Sequence, residues 1–411
     1  MSPTLTEVRA WDSADPLREF RARFELPADV IYLDGNSLGP PPLAVHDRLN
    51  EVMTREWSGG LVRSWNQADW IGAPARIGAK IAPLVGARPG EVIVADSTSV
   101  NLFKLMVAAL GVQAGRTVIL TEPGNFPTDL YVAQGVERTM SGVNLRTVPA
   151  AELIDAIDGD VALVMLSHIH YKSGRKHDMT RLTRAAHDAG VLILWDLSHS
   201  AGAVEVDLNG AGADLAVGCG YKYLNGGPGA PSWLFVAERL QAQLQSPLTG
   251  WMGHADPFGF GDDYRPAAGI DRFLCGTPPM LSLLALECGV DVFAEVEMAA
   301  VAEKGQRLAS LFIELVEQSC AGHGLQLVTP RDPAARGSHV SFAHPQAWPI
   351  MQALIDRGVI GDFRAPDVLR CGFTPLYVGF EDVRRAVDIL RDILDRGAWR
   401  EPRFQVRTRV T

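Results

Sequence analysis

The sequence predicts an α/β fold: a large unit with a mainly parallel sheet flanked by helices, followed by a smaller α+β unit. Continuous apolar runs without alternation, at residues 161–166, 191–195 and 215–217, suit strands buried on both faces of a parallel sheet. Each run ends in polar or glycine-rich residues, where open α/β sheets gather their ligands. From residue 281 the pattern changes to a helical stretch and then to short strands alternating with helices.

At 411 residues the chain can bury two substantial cores, and 47% hydrophobic with 21% charged residues is ordinary for a globular protein. A net charge of −10 argues against nucleic acid as the main partner, since no basic excess neutralises phosphates. The five cysteines are scattered and odd in number, with neither a disulfide framework nor C-x-x-C metal spacing. The first twenty residues are polar and acidic, and no run approaches the roughly 18 apolar residues that cross a membrane. A cytoplasmic protein is expected.

The stretch 191–236 organises the rest. One apolar run ends in Asp196, with His199 three residues on; the next ends in glycines and then Tyr221-Lys222-Tyr223. A lysine in a poorly charged, glycine-rich loop can form an imine with an aldehyde cofactor, because desolvation keeps its amine reactive. A carboxylate against a pyridine nitrogen keeps that nitrogen protonated, so the ring accepts electrons from a carbanion. Asp196 and Lys222 are therefore the candidate carboxylate and imine-forming lysine of a pyridoxal phosphate site.

The sequences WDLSHSAGAVEVDLN and GCGYKYLNGGPGAP identify the chain by resemblance with the kynureninases, pyridoxal-phosphate enzymes of the aspartate-aminotransferase fold (fold type I). The similarity runs over roughly residues 15–395, in several motifs in order. It implies a large cofactor-binding domain at 51–285, a small domain at 286–411, and an N-terminal segment, 1–50, packed with the small domain. It also implies hydrolysis of L-kynurenine to anthranilate and L-alanine in tryptophan breakdown.

Taken in order, a helix-like opening leads to LPADVIYLDGNSLGPPP, a short strand at 30–33 closed by a turn and three prolines. YLDGNSLGP resembles a family signature close to the substrate pocket. Trp65 and Trp70 follow in a segment that reads as exposed; the resemblance places Trp65 at the substrate's aromatic ring. A strand at 91–95 runs into Asp96-Ser97-Thr98-Ser99, hydroxyl residues that cap a helix or present its free amides to a phosphate. The match of VNLFKLM puts Thr98 and Ser99 at that phosphate.

After a strand at 117–120, the tetrapeptide Phe126-Pro127-Thr128-Asp129 matches a family motif of the cofactor pocket, with Phe126 expected to stack on the pyridine ring. Ser167, at the end of the 161–166 strand, matches a cofactor-contacting serine, and His199 and Tyr221 join the same pocket. Tyr221 resembles the family's proton donor. His168 and His170 alternate, with His177 beyond, but H-x-H without a carboxylate or third ligand is a weak metal signal, and no metal is expected.

Trp251, Gly276 and Thr277 lie in glycine- and proline-rich loops. By resemblance Trp251 and Thr277 reach the cofactor of a partner subunit, Gly276 and Thr277 reach its substrate, and the protein is a homodimer with shared sites. Trp65, Gly276 and Thr277 form the set found in bacterial members, which implies a preference for L-kynurenine over its 3-hydroxy form. The residues 281–318 read as helical, with strands at 325–328, 339–342 and 368–371 and helices from Pro349 and Glu381. Arg370 ends an apolar strand, and its planar fork suits a bidentate grip on the substrate α-carboxylate. The basic stretch 400–409 reads as a solvated end.

Two other readings stay open here. A cysteine desulfurase needs a mobile-loop cysteine shortly before the carboxylate arginine, whereas Cys371 follows Arg370 directly. A non-catalytic cofactor-binding regulator would have no reason to keep Lys222, Asp196 and Arg370 together. A nicotinamide enzyme lacks its G-x-G-x-x-G turn.

Overall fold

The structure, a computed structural model, describes residues 3–407. Its centre is a seven-stranded sheet with β1 at Val92–Val94, β2 at Val118–Thr121, β3 at Asn144–Thr147, β4 at Val161–Ser167, β5 at Leu192–Asp196, β6 at Leu215–Cys219 and β7 at Ser232–Val236. Their order is β1-β7-β6-β5-β4-β2-β3. The pairs from β3 through β6 are parallel, and β7 runs antiparallel to both its neighbours. β4 and β6 are buried at every position, as expected of strands that helices cover on both faces. The parallel ladder therefore sends the carboxyl ends of β2, β4, β5 and β6 to one edge, and β1 ends there too.

The smaller sheet has four strands: β8 at Gln326–Leu327, β9 at His339–Ala343, β10 at Asp362–Arg364 and β11 at Val368–Gly372, in the antiparallel order β10-β11-β9-β8. The helices Met298–Ser319, Ala347–Asp356 and Phe380–Arg396 pack around it. The predicted single helical stretch at 281–318 is two helices, Met280–Asp291 and Met298–Ser319, broken by a 3-10 turn at Val292–Glu295.

Residues 3–50 are stitched to both parts. The helix Leu5–Ser13 lies on Phe380–Arg396, where Trp11 meets Phe380 edge-on at 5.7 Å and the Asp12 carboxylate accepts from the amides of Phe380 and Glu381. Ile31–Tyr32 pairs in parallel with Val359–Ile360. The helix Ala44–Glu51 packs instead on Met280–Asp291.

One sequence reading needs correction. Trp70 is buried, because its indole N–H donates to Glu56 at 2.6 Å and its ring meets Trp65 edge-on at 5.9 Å. The basic end is exposed at every described residue except Phe404, whose buried ring anchors it; Arg403 pairs with Asp356, and the Trp348 indole donates to the Val406 carbonyl. Residues 408–409 of that stretch lie outside the described residues.

Candidate active site

At the carboxyl edge of the large sheet one cavity is lined by Thr98, Ser99, Phe126, Thr128, Asp129, Ser167, Asp196, His199, Tyr221 and Lys222, with Tyr171 and Ser198 beside them. The side chains arrive in groups from the carboxyl ends of β1, β2, β4, β5 and β6.

β1 delivers the first group. Asp96 turns the chain in a left-handed conformation (φ 46°) and accepts from the buried Lys104 ammonium at 2.7 Å. The helix Thr98–Val112 then starts, with Ser97 as its cap: the Ser97 hydroxyl accepts from the Val100 amide. Capping and anion binding are thus divided between neighbours. Ser97 satisfies the helix, while Thr98 and Ser99 face the cavity at its positive end.

β2 leads to Asn125 and Phe126. The Glu122 carboxylate fixes this turn by holding Arg175 at 2.5 Å and His177 at 2.8 Å; burial alone would raise its pKa, but those two contacts outweigh it and lower the pKa. Pro127 occupies the first position of the helix Pro127–Thr139 and does not line the cavity; its fixed φ aims Phe126, before it, and Thr128 and Asp129, after it. The Phe126 ring meets Tyr171 edge-on at 5.3 Å.

Ser167 and Asp196 are register partners on β4 and β5. Asp196 Oδ1 accepts from the Ser198 amide at 2.8 Å and its hydroxyl at 2.6 Å, Oδ2 lies 3.5 Å from the Ser167 hydroxyl, and the carboxylate is also hydrogen-bonded with Asp129. No short hydrogen bond from a hydroxyl or amide occupies Oδ2, so a ring N–H could donate to it. Asp129 is buried alongside, with Oδ1 unpartnered, and desolvation together with the Asp196 charge holds its carboxyl well above the usual range.

β6 ends at Cys219, and the loop after it presents Lys222. Its Nζ lies 3.2 Å from His199 Nε2, 5.6 Å from the Phe126 ring centre and 5.9 Å from that of Tyr221. Burial pushes the His199 pKa well below its usual value and raises that of the Tyr221 phenol, so His199 is neutral and Tyr221 protonated. Gly39 backs this loop: a Cβ there would sit 2.4 Å from the Lys222 carbonyl, so only glycine fits.

Arg370, on β11, is fully buried and does not itself line the cavity; it sits behind Tyr171, which does. Its fork is engaged by groups of its own chain. Nε and Nη2 hold Asp362, Nη1 donates to the Tyr171 carbonyl at 2.6 Å, and Nη2 also reaches the Ser37 hydroxyl at 3.1 Å. Trp65, Trp251, Gly276 and Thr277 do not line the cavity within one chain. Trp65 is half-buried against Trp70, while Trp251, Gly276 and Thr277 are exposed. The sequence reading missed Tyr171, which bridges the Phe126 ring and Arg370, because HIHYKSG drew notice only for its histidines. Among the described residues no group of three His, Cys, Asp or Glu is arranged to hold a metal ion. His168 bonds Ser200, and His177 bonds Glu122.

The donor set fits pyridoxal phosphate: a buried lysine, a carboxylate oxygen with no close hydroxyl or amide donor, an aromatic ring beside the amine, and hydroxyls at a helix N-terminus. The Cys371 thiol is buried on β11 and pushed far up in pKa, opposite to what a cysteine nucleophile needs.

Comparison with known proteins agrees. A family model for the kynureninase C-terminal domain matches residues 301–390. A kynureninase of Pseudomonas fluorescens is 53% identical over 99% of this chain and 100% of its own, and one of Burkholderia pseudomallei (strain 1106a) is 52% identical with the same coverage. Among solved structures, an apo cysteine desulfurase from Thermococcus onnurineus NA1 superposes with a TM-score of 0.79 at 20% identity, over 92% of this chain and 98% of that one. A C-DES mutant with glycine covalently linked to its PLP cofactor superposes at 0.76 and 16% identity, over 90% and 99%. The desulfurase likeness is one of fold alone; by whole-chain identity, the chain belongs to the kynureninase family.

Proposed function

We propose that the protein hydrolyses L-kynurenine to anthranilate and L-alanine, with pyridoxal phosphate held in the Lys222 cavity. The observation that carries this is the convergence, at adjacent strand ends, of a buried lysine and a buried carboxylate on either side of one cavity. When bound, the cofactor supplies an electron sink for the carbon that bears the substrate amine.

The chain's own groups account for the rest. Thr98, Ser99 and the free amides of their helix take the phosphate. Asp196 would accept the ring N–H and Phe126 would lie against the ring, with Thr128, Asp129 and Ser167 completing the wall. Lys222 takes the proton from the substrate Cα; the neutral His199 beside it accepts a hydrogen bond without adding a competing charge. Arg370 holds the α-carboxylate and Trp65 the aromatic ring. Tyr221, kept protonated by burial, donates to the carbon released when the Cβ–Cγ bond breaks after water adds to the γ-ketone.

We read residues 51–285 as the large domain and 286–411 as the small one, with the start of the 1–50 segment packed on the small domain and its end on the large one. We also infer a homodimer in which Trp251, Gly276 and Thr277 complete the partner's site, because all three are exposed and absent from the cavity of their own chain. Five unpaired cysteines suit the reducing cytoplasm. Incubating the purified protein and pyridoxal phosphate with L-kynurenine should produce anthranilate fluorescence and stoichiometric alanine. Absence of both would reject the reading.

A further inference from the structure

The loop of Asp34, Gly35, Asn36 and Ser37 takes no part in the chemistry above, yet it is built into the floor behind Arg370. Its strand is tied to the small sheet: Leu33 donates to the Ile360 carbonyl at 2.7 Å, and Gly372 donates to that of Leu33 at 2.7 Å. Gly35 passes so close that a Cβ would lie 2.0 Å from the Tyr377 hydroxyl. Asn36 is wholly buried, its carbonyl 3.2 Å from His199 Nε2. With its amide turned to satisfy both groups, Asn36 Oδ1 accepts from Arg370 Nε and Nη2 at 3.0 Å each. The Ser37 hydroxyl sits among Asp362 at 2.8 Å, Arg364 at 3.2 Å and Arg370 at 3.1 Å.

Asp34 opens this loop. Its Oδ1 is sealed from solvent and has no donor, and its carboxyl faces the carboxylate of Asp362 within hydrogen-bonding reach. Two such groups cannot both ionise at that distance without a large penalty. Asp362 is the one held ionised, because Arg370 and Arg364 both grip it and keep its carboxyl at about 2.

We infer that Asp34 is a positioning residue that works as a neutral carboxylic acid, lending its proton to Asp362 so that Asp362 and Ser37 hold Arg370 toward the substrate carboxylate. This rests on the reading of Arg370 as the carboxylate-binding group. The charges support it. Arg364 and Arg370 against Asp362 leave one positive charge when Asp34 is neutral, which one incoming carboxylate balances. With Asp34 ionised the cluster is already neutral, and a bound carboxylate would leave a buried charge unpaired, which is strongly unfavourable.

The groups facing Asp34 are Asp362, Arg364, Arg370 and Cys371 from the small sheet, Tyr223 from the lysine loop, Tyr377, and Tyr32 on its own strand. Burial keeps the three phenols and the thiol neutral, so only Asp362 and the two arginines contribute charge. Desolvation first and Asp362 second push the Asp34 carboxyl to about 7. Above that pH the site binds a carboxylate only by taking up a proton.

The test uses the holoenzyme and a γ-aryl-γ-ketobutanoate, the substrate skeleton without its amino group. Calorimetry in two buffers of different ionisation enthalpy, at about pH 8, should show close to one proton taken up per site as the ligand binds. Asp34→Asn, isosteric with the neutral acid, should take up none, bind as the native protein does at about pH 6, and bind up to about tenfold more tightly than it at about pH 8. No uptake by the native protein overturns the inference, and so does an Asp34→Asn profile that follows the native one. The native measurement decides even if the variant fails to fold. Arg370→Gln separates the underlying reading: unchanged affinity in that variant removes Arg370 from the carboxylate site, whereas lost affinity without native proton uptake removes Asp34 alone.

Discussion

Lys222 Nζ lies 3.2 Å from His199 Nε2, and that same nitrogen lies 3.2 Å from the Asn36 carbonyl. One ring nitrogen cannot donate to the carbonyl and accept from the amine at once, so the state of Lys222 selects the His199 tautomer. Borohydride treatment of the protein loaded with pyridoxal phosphate should fix the cofactor on the peptide containing Lys222 and on no other lysine. Lys222→Ala should lose visible imine absorbance and turnover. A label on another peptide would reject the assignment.

Asp196 and Asp129 should behave differently although both are buried aspartates in one cavity. Asp196 would accept the ring N–H, and a charge-assisted hydrogen bond there is about twice as strong as a neutral one. Asp196→Asn should therefore lower kcat at least 100-fold, roughly 3 kcal/mol, and change KM much less. Asp129 keeps its proton, so Asp129→Asn should be far milder. Wild-type turnover by Asp196→Asn would sink the electron-sink role.

The raised Asp129 carboxyl also makes a pH prediction for the cofactor-free protein. An unfolded aspartate titrates near about 4, so above that pH the native state holds a proton that the unfolded state has lost. Stability should fall as pH rises from about 4 toward the raised native value, and Asp129→Asn should remove that slope. Thermal melts of both proteins across pH would show it. Parallel pH profiles would mean that Asp129 is ionised in the native protein.

At the helix start, Ser97→Ala and Thr98→Ala should separate stability from affinity. Ser97 caps, so its loss should cost about 1 kcal/mol in unfolding with little change in cofactor affinity. Thr98 faces the cavity, and losing a bond to a phosphate should weaken cofactor binding by about tenfold or more. Equal effects of the two changes on cofactor dissociation would contradict this division.

What the sequence made legible follows its physics. β4, β5 and β6 are read directly because a strand covered on both faces must be apolar throughout. β3 escapes notice: Asn-Leu-Arg-Thr is a half-exposed edge strand with no pattern to detect. The break at Val292–Glu295 has no glycine or proline to mark it. Lys222, Asp196 and Asp34 all follow an apolar run, but nothing in the sequence links Asp34 with Asp362. Their meaning lies in a contact between a loop and a strand more than three hundred residues apart, which no local pattern encodes.

Shared sites can be tested by complementation. Lys222→Ala and a bulky Thr277→Arg variant should each be inactive alone. If Thr277 serves the partner's site, random mixing of two-fold dimers makes half of them heterodimers, each with one intact site, so about a quarter of native activity returns. No recovery after subunit exchange, confirmed by mass spectrometry, would confine each site to one chain.

The last prediction concerns which substrate ring is preferred. Trp65 packs edge-on against Trp70, whose indole N–H is tied to Glu56, so this aromatic wall is held in place and offers mostly apolar area. A ring 3-hydroxyl left unpaired against it costs roughly 1–3 kcal/mol. L-Kynurenine should therefore exceed 3-hydroxy-L-kynurenine in kcat/KM by about tenfold or more. Gly276 and Thr277 would face the same ring from the partner subunit; Cβ at Gly276 meets nothing within 4 Å in its own chain, so larger side chains fit there without internal clash. Trp65→His combined with Thr277→Asn should narrow or reverse the ratio, and each single change should do less, because both touch one ring. Equal kcat/KM for the two substrates in the unmodified protein would defeat this account of specificity and leave the cofactor site untouched.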